Sequence, residues 1–293
     1  MSNVSQKSAL LIAGPTASGK SALALRLAQA RNGVIINADS MQVYAELRLL
    51  SARPSAAEEA QAPHRLYGHI GGAEAYSVAR WLDEAARAIE AVWAAGQLPI
   101  ICGGTGLYFM ALEKGLSEVP PIPEVVRQKW RGYGDDLHAA LAERDPVMAA
   151  RLGINDRQRI IRALEVIEAT GRSLSDWQGH GQEGAFLNHI NIERVLVDVP
   201  REVLYGRADH RFDMMVSQGA VDEVRALPPL DAALPIMKAI GVPELSAYLR
   251  GELRLDEAID LAKRATRQYI KRQLTWWRSK GADWRRINAD TGV

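Results

Sequence analysis

The stretch "SALLIAGPTASGKSALALRLAQAR", residues 8–31, constrains this chain more than any other. A short apolar run ends in a glycine–proline turn, after which apolar residues recur at helical spacing, so the stretch reads as strand, loop and helix. Gly14, four residues, then Gly19-Lys20-Ser21 matches G-x-x-x-x-G-K-[ST] in the context that this phosphate loop demands. In such a loop the glycines let backbone N–H groups turn inward around an anion, and the helix N-terminus adds partial positive charge. Lys20 neutralises outer phosphate oxygens and the Ser21 hydroxyl can ligate Mg²⁺. Gly14, Pro15, Thr16, Ala17, Ser18, Gly19, Lys20 and Ser21 are therefore candidates for holding a di- or triphosphate. The loop alone does not distinguish ATP from another pyrophosphate ester.

The alternation continues downstream. "GVIINA" reads as a strand, "YSVARWLDEAARAIEAVWAAG" as an amphipathic helix closed by Gly96, "LPIIC" as a strand and "GTGLYFMALEKG" as a helix. This predicts an α/β fold: a P-loop-containing parallel sheet flanked by helices on both faces. From about residue 116 the alternation stops at the proline-rich "SEVPPIPEV", and short helices follow, among them "DPVMAARLG" and "DRQRIIRALEVIEATG", the latter running from near Asp156 to Gly171. After the polar stretch "GHGQEGAFLNH", "INIERVLVDVP" reads as a strand returning to the sheet, and "WRRIN" as a last edge strand. The expected division is 1–115 for the first part of the core, 116–189 for a helical insertion domain, and 190–293 for core completion with a basic helical region.

Composition excludes several classes. The one cysteine, Cys102, allows no internal disulfide and no cysteine-based zinc cluster, and suits a reducing cytosol. The N-terminal apolar run is too short to cross a bilayer and lacks a signal-peptide cleavage pattern, so no membrane is expected and the cytoplasm is. The net charge of +1 identifies no partner. Its distribution is more informative. Residues 263–286 carry Lys263, Arg264, Arg267, Lys271, Arg272, Arg278, Lys280, Arg285 and Arg286 against the single acid Asp283, with Tyr269, Trp276 and Trp277 interleaved. Arg157, Arg159 and Arg162 with Gln158 form a second cluster. Two separated basic elements on a neutral chain favour an extended polyanion such as RNA, although solvated faces with tryptophan anchors fit either stretch alone.

Further candidates stand at strand ends. Asp39 ends the second strand, where open α/β sheets place their ligands. It could accept a proton or bind Mg²⁺ through water, or form an Asx turn into "SMQVY". Asp198 in "VLVDV" is a second strand-end acid and a weaker metal candidate. "GGTGLY" opens a helix at the same sheet edge, with Thr105 placed to bind a ligand or to cap. Arg207 and Arg211 share a helix face and could grip a departing pyrophosphate, or pair with Asp209 and Asp213.

Taken together, "GPTASGKS", "NADSMQVY", "GGTGLYF", "NDRQRIIRALEV", "RFDMMVSQG" and "ATRQYIKRQLTWWR" resemble, in order and spacing, the bacterial tRNA dimethylallyltransferases, or tRNA isopentenyl transferases. The resemblance spans residues 9 to 287. It implies that the loop holds the diphosphate of dimethylallyl diphosphate, and that N6 of adenosine 37, beside the tRNA anticodon, attacks the allylic carbon. Asp39 would be the general base, with Thr16 and Arg211 on the diphosphate and Mg²⁺ as cofactor. It further implies tRNA contacts by Asp39, Ser40, Met41 and Gln42; by Thr105 and Arg127; by Gln158, Arg159, Ile160, Ile161 and Arg162; and by Lys271, Arg272, Gln273, Leu274, Thr275, Trp276, Trp277 and Arg278. A monomer that grips the anticodon arm is expected. Two stretches depart from the family pattern: "LLSARP" replaces the usual "GTAKP", with Leu50 for glycine and Arg53 for lysine, and "IGVP" replaces "VGYR", with Val242 and Pro243. A P-loop kinase for a small metabolite or nucleoside shares the loop and sheet but not the basic aromatic helix. A non-catalytic RNA-binding regulator shares that helix but has no use for Lys20, Ser21 and Asp39 together.

Overall fold

The computed structural model describes residues 7–178 and 185–288; the first six residues of the polar "GHGQEGAFLNH" stretch and both termini lie outside them. The chain runs β1 (Ser8–Ala13), α1 (Lys20–Ala30), β2 (Gly33–Asn37), α2 (Ala56–Glu59), β3 (His64–Arg65), α3 (Val78–Ala94), β4 (Leu98–Gly103) and α4 (Gly106–Lys114). It continues as α5 (Glu124–Arg131), α6 (Leu137–Arg144), α7 (Pro146–Arg151), α8 (Arg157–Thr170) and α9 (Leu174–Gln178). Then come β5 (Asn191–Val197), α10 (Arg201–Ser217), α11 (Ala220–Arg225), α12 (Val242–Leu249), α13 (Leu255–Lys280) and β6 (Arg285–Ile287). No helix of the described residues is long and apolar enough to cross a membrane.

The expected parallel sheet is present, six-stranded among the described residues, in the order β3-β2-β4-β1-β5-β6. Each pairing is parallel. Both faces are covered, because successive residues of β1 all disappear from solvent: Leu10, Leu11 and Ile12 are fully buried. On one face Leu10, Ile12, Ile35, Ile100, Val195 and Val197 pack with Leu23 and Ala24 of α1. Each such buried aliphatic side chain contributes about 1.5–3 kcal/mol. Since β1 lies between β4 and β5, the chain's excursions leave it on opposite sides, which opens a crevice beyond its carboxyl end. The two-residue β3 went unread in the sequence because it is too short for an alternation signal.

The helices follow their local signals. α3 starts where the Ser77 side chain accepts the Arg80 N–H. It buries Trp81, Ala85, Ile89 and Val92 at helical spacing and ends before Gly96 at φ 68°. α8 occupies the expected span and stops at Gly171, whose φ of 67° suits a residue without a Cβ. The chain divides into two compact units, residues 1–110 with 189–293, and residues 111–188. The first has a second core, built by α10, α11, α12 and α13 around Phe212, Val224, Ile236, Val242 and Leu245. The second has its own, with Trp130, Leu141, Ile160 and Leu164 at its centre.

Candidate active site

The phosphate loop is built by close packing. A Cβ on Gly14 would stand 2.7 Å from Ser18 Oγ and 3.2 Å from Val197 Cβ, so only glycine leaves β1 at that point. Ala17 and Gly19 adopt left-handed backbone, at φ 64° and 88°, turning successive N–H groups to one side. For Ala17, which has a Cβ, this costs about 1–2 kcal/mol, strain of the kind found at functional sites. Among the described residues the amides of Ala17, Gly19, Lys20 and Ser21 donate to no acceptor, which concentrates donors at the start of α1. Lys20 folds back over the loop, Nζ donating to the Pro15 carbonyl at 3.3 Å. Burial lowers the pKa of its ammonium; Asp39 and Cys102 oppose that shift and Arg211 adds to it. Ser21 is exposed at the helix start.

Asp39 is fixed by a residue that sequence reasoning passed over. Asn37 is fully buried; its Oδ1 accepts the Asp39 N–H at 2.8 Å, and its Nδ2 donates to the carbonyls of Asp39 at 2.9 Å and Leu66 at 3.0 Å. The signal was there: an amide closing an otherwise apolar strand must find partners when buried. The Asx turn forms too, with Asp39 Oδ1 accepting the Met41 N–H at 2.9 Å. The other carboxylate oxygen, Oδ2, faces Gly104, 3.5 Å from where a Cβ would stand. Thr105 braces this loop, its Oγ1 accepting the Ser40 N–H at 3.0 Å. Gly103 is required as well, because a Cβ there would meet the Ala38 carbonyl oxygen at 2.0 Å. Gln42 is committed to backbone, donating to the Ser51 and Ala52 carbonyls, both at 2.9 Å.

A cleft of about 250 Å³ opens at this edge. Thr16, Asp39, Ser40, Arg211, Tyr269 and Arg272 give it a polar side; Leu50, Phe212, Met215, Ala239 and Ile240 give it an apolar one. Burial lowers the pKa of the Arg211 guanidinium and the charge of Asp39 works against that shift. The expected alternative partners of Arg211 are engaged elsewhere: Asp209 accepts from Arg267 and Asp213 pairs with Lys263, both at 2.6 Å. Among the described residues Arg211 forms no ion pair, and Arg207, half-buried on α10, does not line the cleft. Asp198 departs from its metal reading, because its carboxylate accepts from Arg286 of β6 at 2.8 Å. No cluster of three or more acidic, histidine or cysteine side chains suited to a metal occurs among the described residues.

The basic stretch of α13 resolves into inner and outer faces. Thr266, Ile270, Gln273 and Trp277 are buried; Lys271, Arg272, Thr275 and Arg278 are exposed. Trp277 packs against Phe109 and Trp284 with ring centroids 5.6 and 4.8 Å away. This places Trp277, expected at the RNA, among buried aromatic rings, 4% exposed. Leu274 packs half-buried on the sheet core, and the Trp276 ring lies over Gly106, at 2.0 Å from an ideal Cβ there.

In the unit of residues 111–188, Gln158 and Arg159 are exposed, Arg159 pairing with Asp156 at 3.4 Å. Ile160 is fully buried in the core of this unit and Ile161 is half-buried against it. Arg127 and Arg162 are half-buried. Burial lowers the pKa of Arg162, Glu165 opposes this, and Arg127 adds to it.

Comparison with known proteins identifies the family. The sequence model of a family described as IPP transferase matches residues 42–280, and that of isopentenyl transferase matches residues 7–71. A tRNA dimethylallyltransferase of Azorhizobium caulinodans is 54% identical, the match covering 97% of this chain and 93% of that protein. A full-length tRNA isopentenylpyrophosphate transferase from Bacillus halodurans, solved by crystallography, is 35% identical with a TM-score of 0.68, over 97% of this chain and 90% of that one. The structure of a eukaryotic dimethylallyltransferase acting on tRNA is 27% identical with a TM-score of 0.82, covering 97% of this chain and 74% of that one. With matches of this extent to both sequence and structure, the chain belongs to the IPP transferase family.

Proposed function

We propose that this chain transfers the dimethylallyl group of dimethylallyl diphosphate to N6 of adenosine 37 in tRNA, giving N6-(dimethylallyl)adenosine and diphosphate. The observation that carries the reading is the meeting of Thr16, Asp39 and Arg211 in one cleft with an apolar wall. The unpaired amides of the phosphate loop and Lys20 bind the diphosphate. Leu50, Phe212, Met215, Ala239 and Ile240 offer a hydrocarbon surface that suits an isoprenoid. The N6–C1 bond forms as the C1–O bond breaks; its electron pair leaves with the diphosphate, and the N6 proton passes to the Asp39 carboxylate. Lys20 and Arg211 stabilise charge growing on the leaving oxygens.

An oxygen donor set suits Mg²⁺: Ser21, exposed at the start of α1, would hold the ion together with diphosphate oxygens. Bound there, it supplies charge neutralisation for the leaving group. The exposed cations Lys271, Arg272 and Arg278 of α13 and Arg159 of α8 offer phosphate contacts to the tRNA. The test combines the protein with Mg²⁺, dimethylallyl diphosphate and unmodified tRNA, and analyses the nucleosides by mass spectrometry. N6-dimethylallyladenosine is expected; its absence, with ATP-dependent phosphorylation of a small acceptor instead, would overturn the reading.

A further inference from the structure

We propose that Gln273 is a positioning residue and not an RNA contact: its side-chain amide ties the phosphate loop to the loop between β4 and α4 and so sets the spacing between the two reactants. Although it lies in the basic stretch of α13, Gln273 is only 5% exposed. Its Oε1 accepts the Thr16 N–H at 2.9 Å, and its Nε2 donates to the Gly104 carbonyl at 3.0 Å. The amide orientation is forced, since a backbone N–H needs an acceptor and a carbonyl needs a donor. The contact on Gly104 is close enough that a Cβ there would stand 2.4 Å from Nε2.

Each end of this strut reaches a different reactant. Thr16 belongs to the loop that holds the diphosphate and lines the cleft. Gly104 lies against Asp39 Oδ2 and next to Thr105, which holds the Ser40 amide. The inference rests on the proposed transfer reaction, in which the first loop carries the electrophilic carbon and the second the base that directs the nucleophile. The amide presents one acceptor and one donor, whereas an ionised glutamate offers acceptors alone and methionine only a weakly accepting sulfur.

The test uses Gln273→Met, Gln273→Glu and Gly104→Ala, the last disturbing the same amide from the far side. Hydrogen exchange on the protein without substrates is the first readout. The Thr16 amide should exchange about tenfold faster in Gln273→Met and stay protected in Gln273→Glu, which keeps the acceptor. In turnover, all three variants should lose about 100-fold in kcat. The Kd values for inorganic pyrophosphate and for tRNA should stay within about threefold, where a lost interaction of ordinary strength would cost more. A rise in tRNA Kd with kcat retained at saturation would mean that Gln273 is an RNA contact. Unchanged Thr16 exchange in Gln273→Met would mean that the strut carries no load. Either result overturns the proposal. If the unmodified enzyme made no prenylated nucleoside, the transfer reading would fail, while the exchange measurement would still decide whether the strut exists.

Discussion

The carboxyl ends of β2 and β5 each deliver an acid to the same edge of one parallel sheet, and their surroundings make them chemically unlike. At the β2 end, Asn37 grips both backbone polar groups of Asp39, the Asx turn takes one carboxylate oxygen, and the other faces Gly104 at the cleft. At the β5 end, β6 lies alongside with Leu196 opposite Arg286, which brings that arginine onto the Asp198 carboxylate. Position at a strand end therefore does not make an acid available. An edge strand that returns with a cation neutralises one acid, and a loop braced from behind leaves the other facing the cleft.

The largest effect that separates the two ends should come from Asp39→Ala. Removing the proposed base should lower kcat about 10³-fold, with pyrophosphate binding unchanged because the phosphate loop is untouched; single-turnover kinetics and calorimetry read the two quantities. A comparable loss from the corresponding change at Asp198 would reverse the comparison. Next in size is Arg211→Gln, expected to cost about 10²-fold in kcat by withdrawing charge from the leaving group. Its signature is a defect that shrinks with an analogue whose leaving group is less basic than diphosphate.

Much of this contrast was legible in the sequence, and the residues that were not share a cause. The phosphate loop, the order of strands and helices, and Asp39 at the sheet edge follow from spacing, because local chain geometry dictates them. Asn37 did not stand out and Gln273 entered only among the implied tRNA contacts, since their partners are backbone groups: Asn37 reaches the Leu66 carbonyl 29 residues away, and Gln273 reaches the Thr16 amide 257 residues away. Likewise "KRQLTWWR" reads as uniformly basic and aromatic until helix phase places Gln273 and Trp277 inside and Lys271, Arg272 and Arg278 outside. The pairing of Arg286 with Asp198 depends on a three-residue strand, the kind of element that pattern reading can suggest but whose register it cannot fix.

A smaller effect tests how well the β2 side is sealed. Cys102 of β4 pairs in register with Asn37, and burial pushes its thiol from an ordinary value of 9 up to about 12. The sign follows from linkage. Below pH 9 the thiol is neutral in both states and its contribution is complete; as pH rises towards 12 only the unfolded chain ionises, so stability is lost across that window. The slope from this group is at most about 1.4 kcal/mol per pH unit. Urea unfolding at a series of alkaline pH values should show a steeper decline for the unmodified protein than for Cys102→Ala. Equal slopes would mean that the thiol is open to solvent.

The smallest effect is the one that the comparison most needs. The Asp198–Arg286 pair is partly exposed, with side-chain exposures of 42% and 47%, so its Coulomb attraction is screened by water. Asp198→Asn should therefore lower stability by less than about 1 kcal/mol, with the difference fading at high salt. Because Arg286 and not a substrate occupies that carboxylate, kcat should match the unmodified enzyme at every Mg²⁺ concentration. A kcat that fell and then recovered with excess Mg²⁺ would show that Asp198 releases its arginine to serve the metal. The β5 end would then be a second working end of the sheet, held closed only until diphosphate arrives.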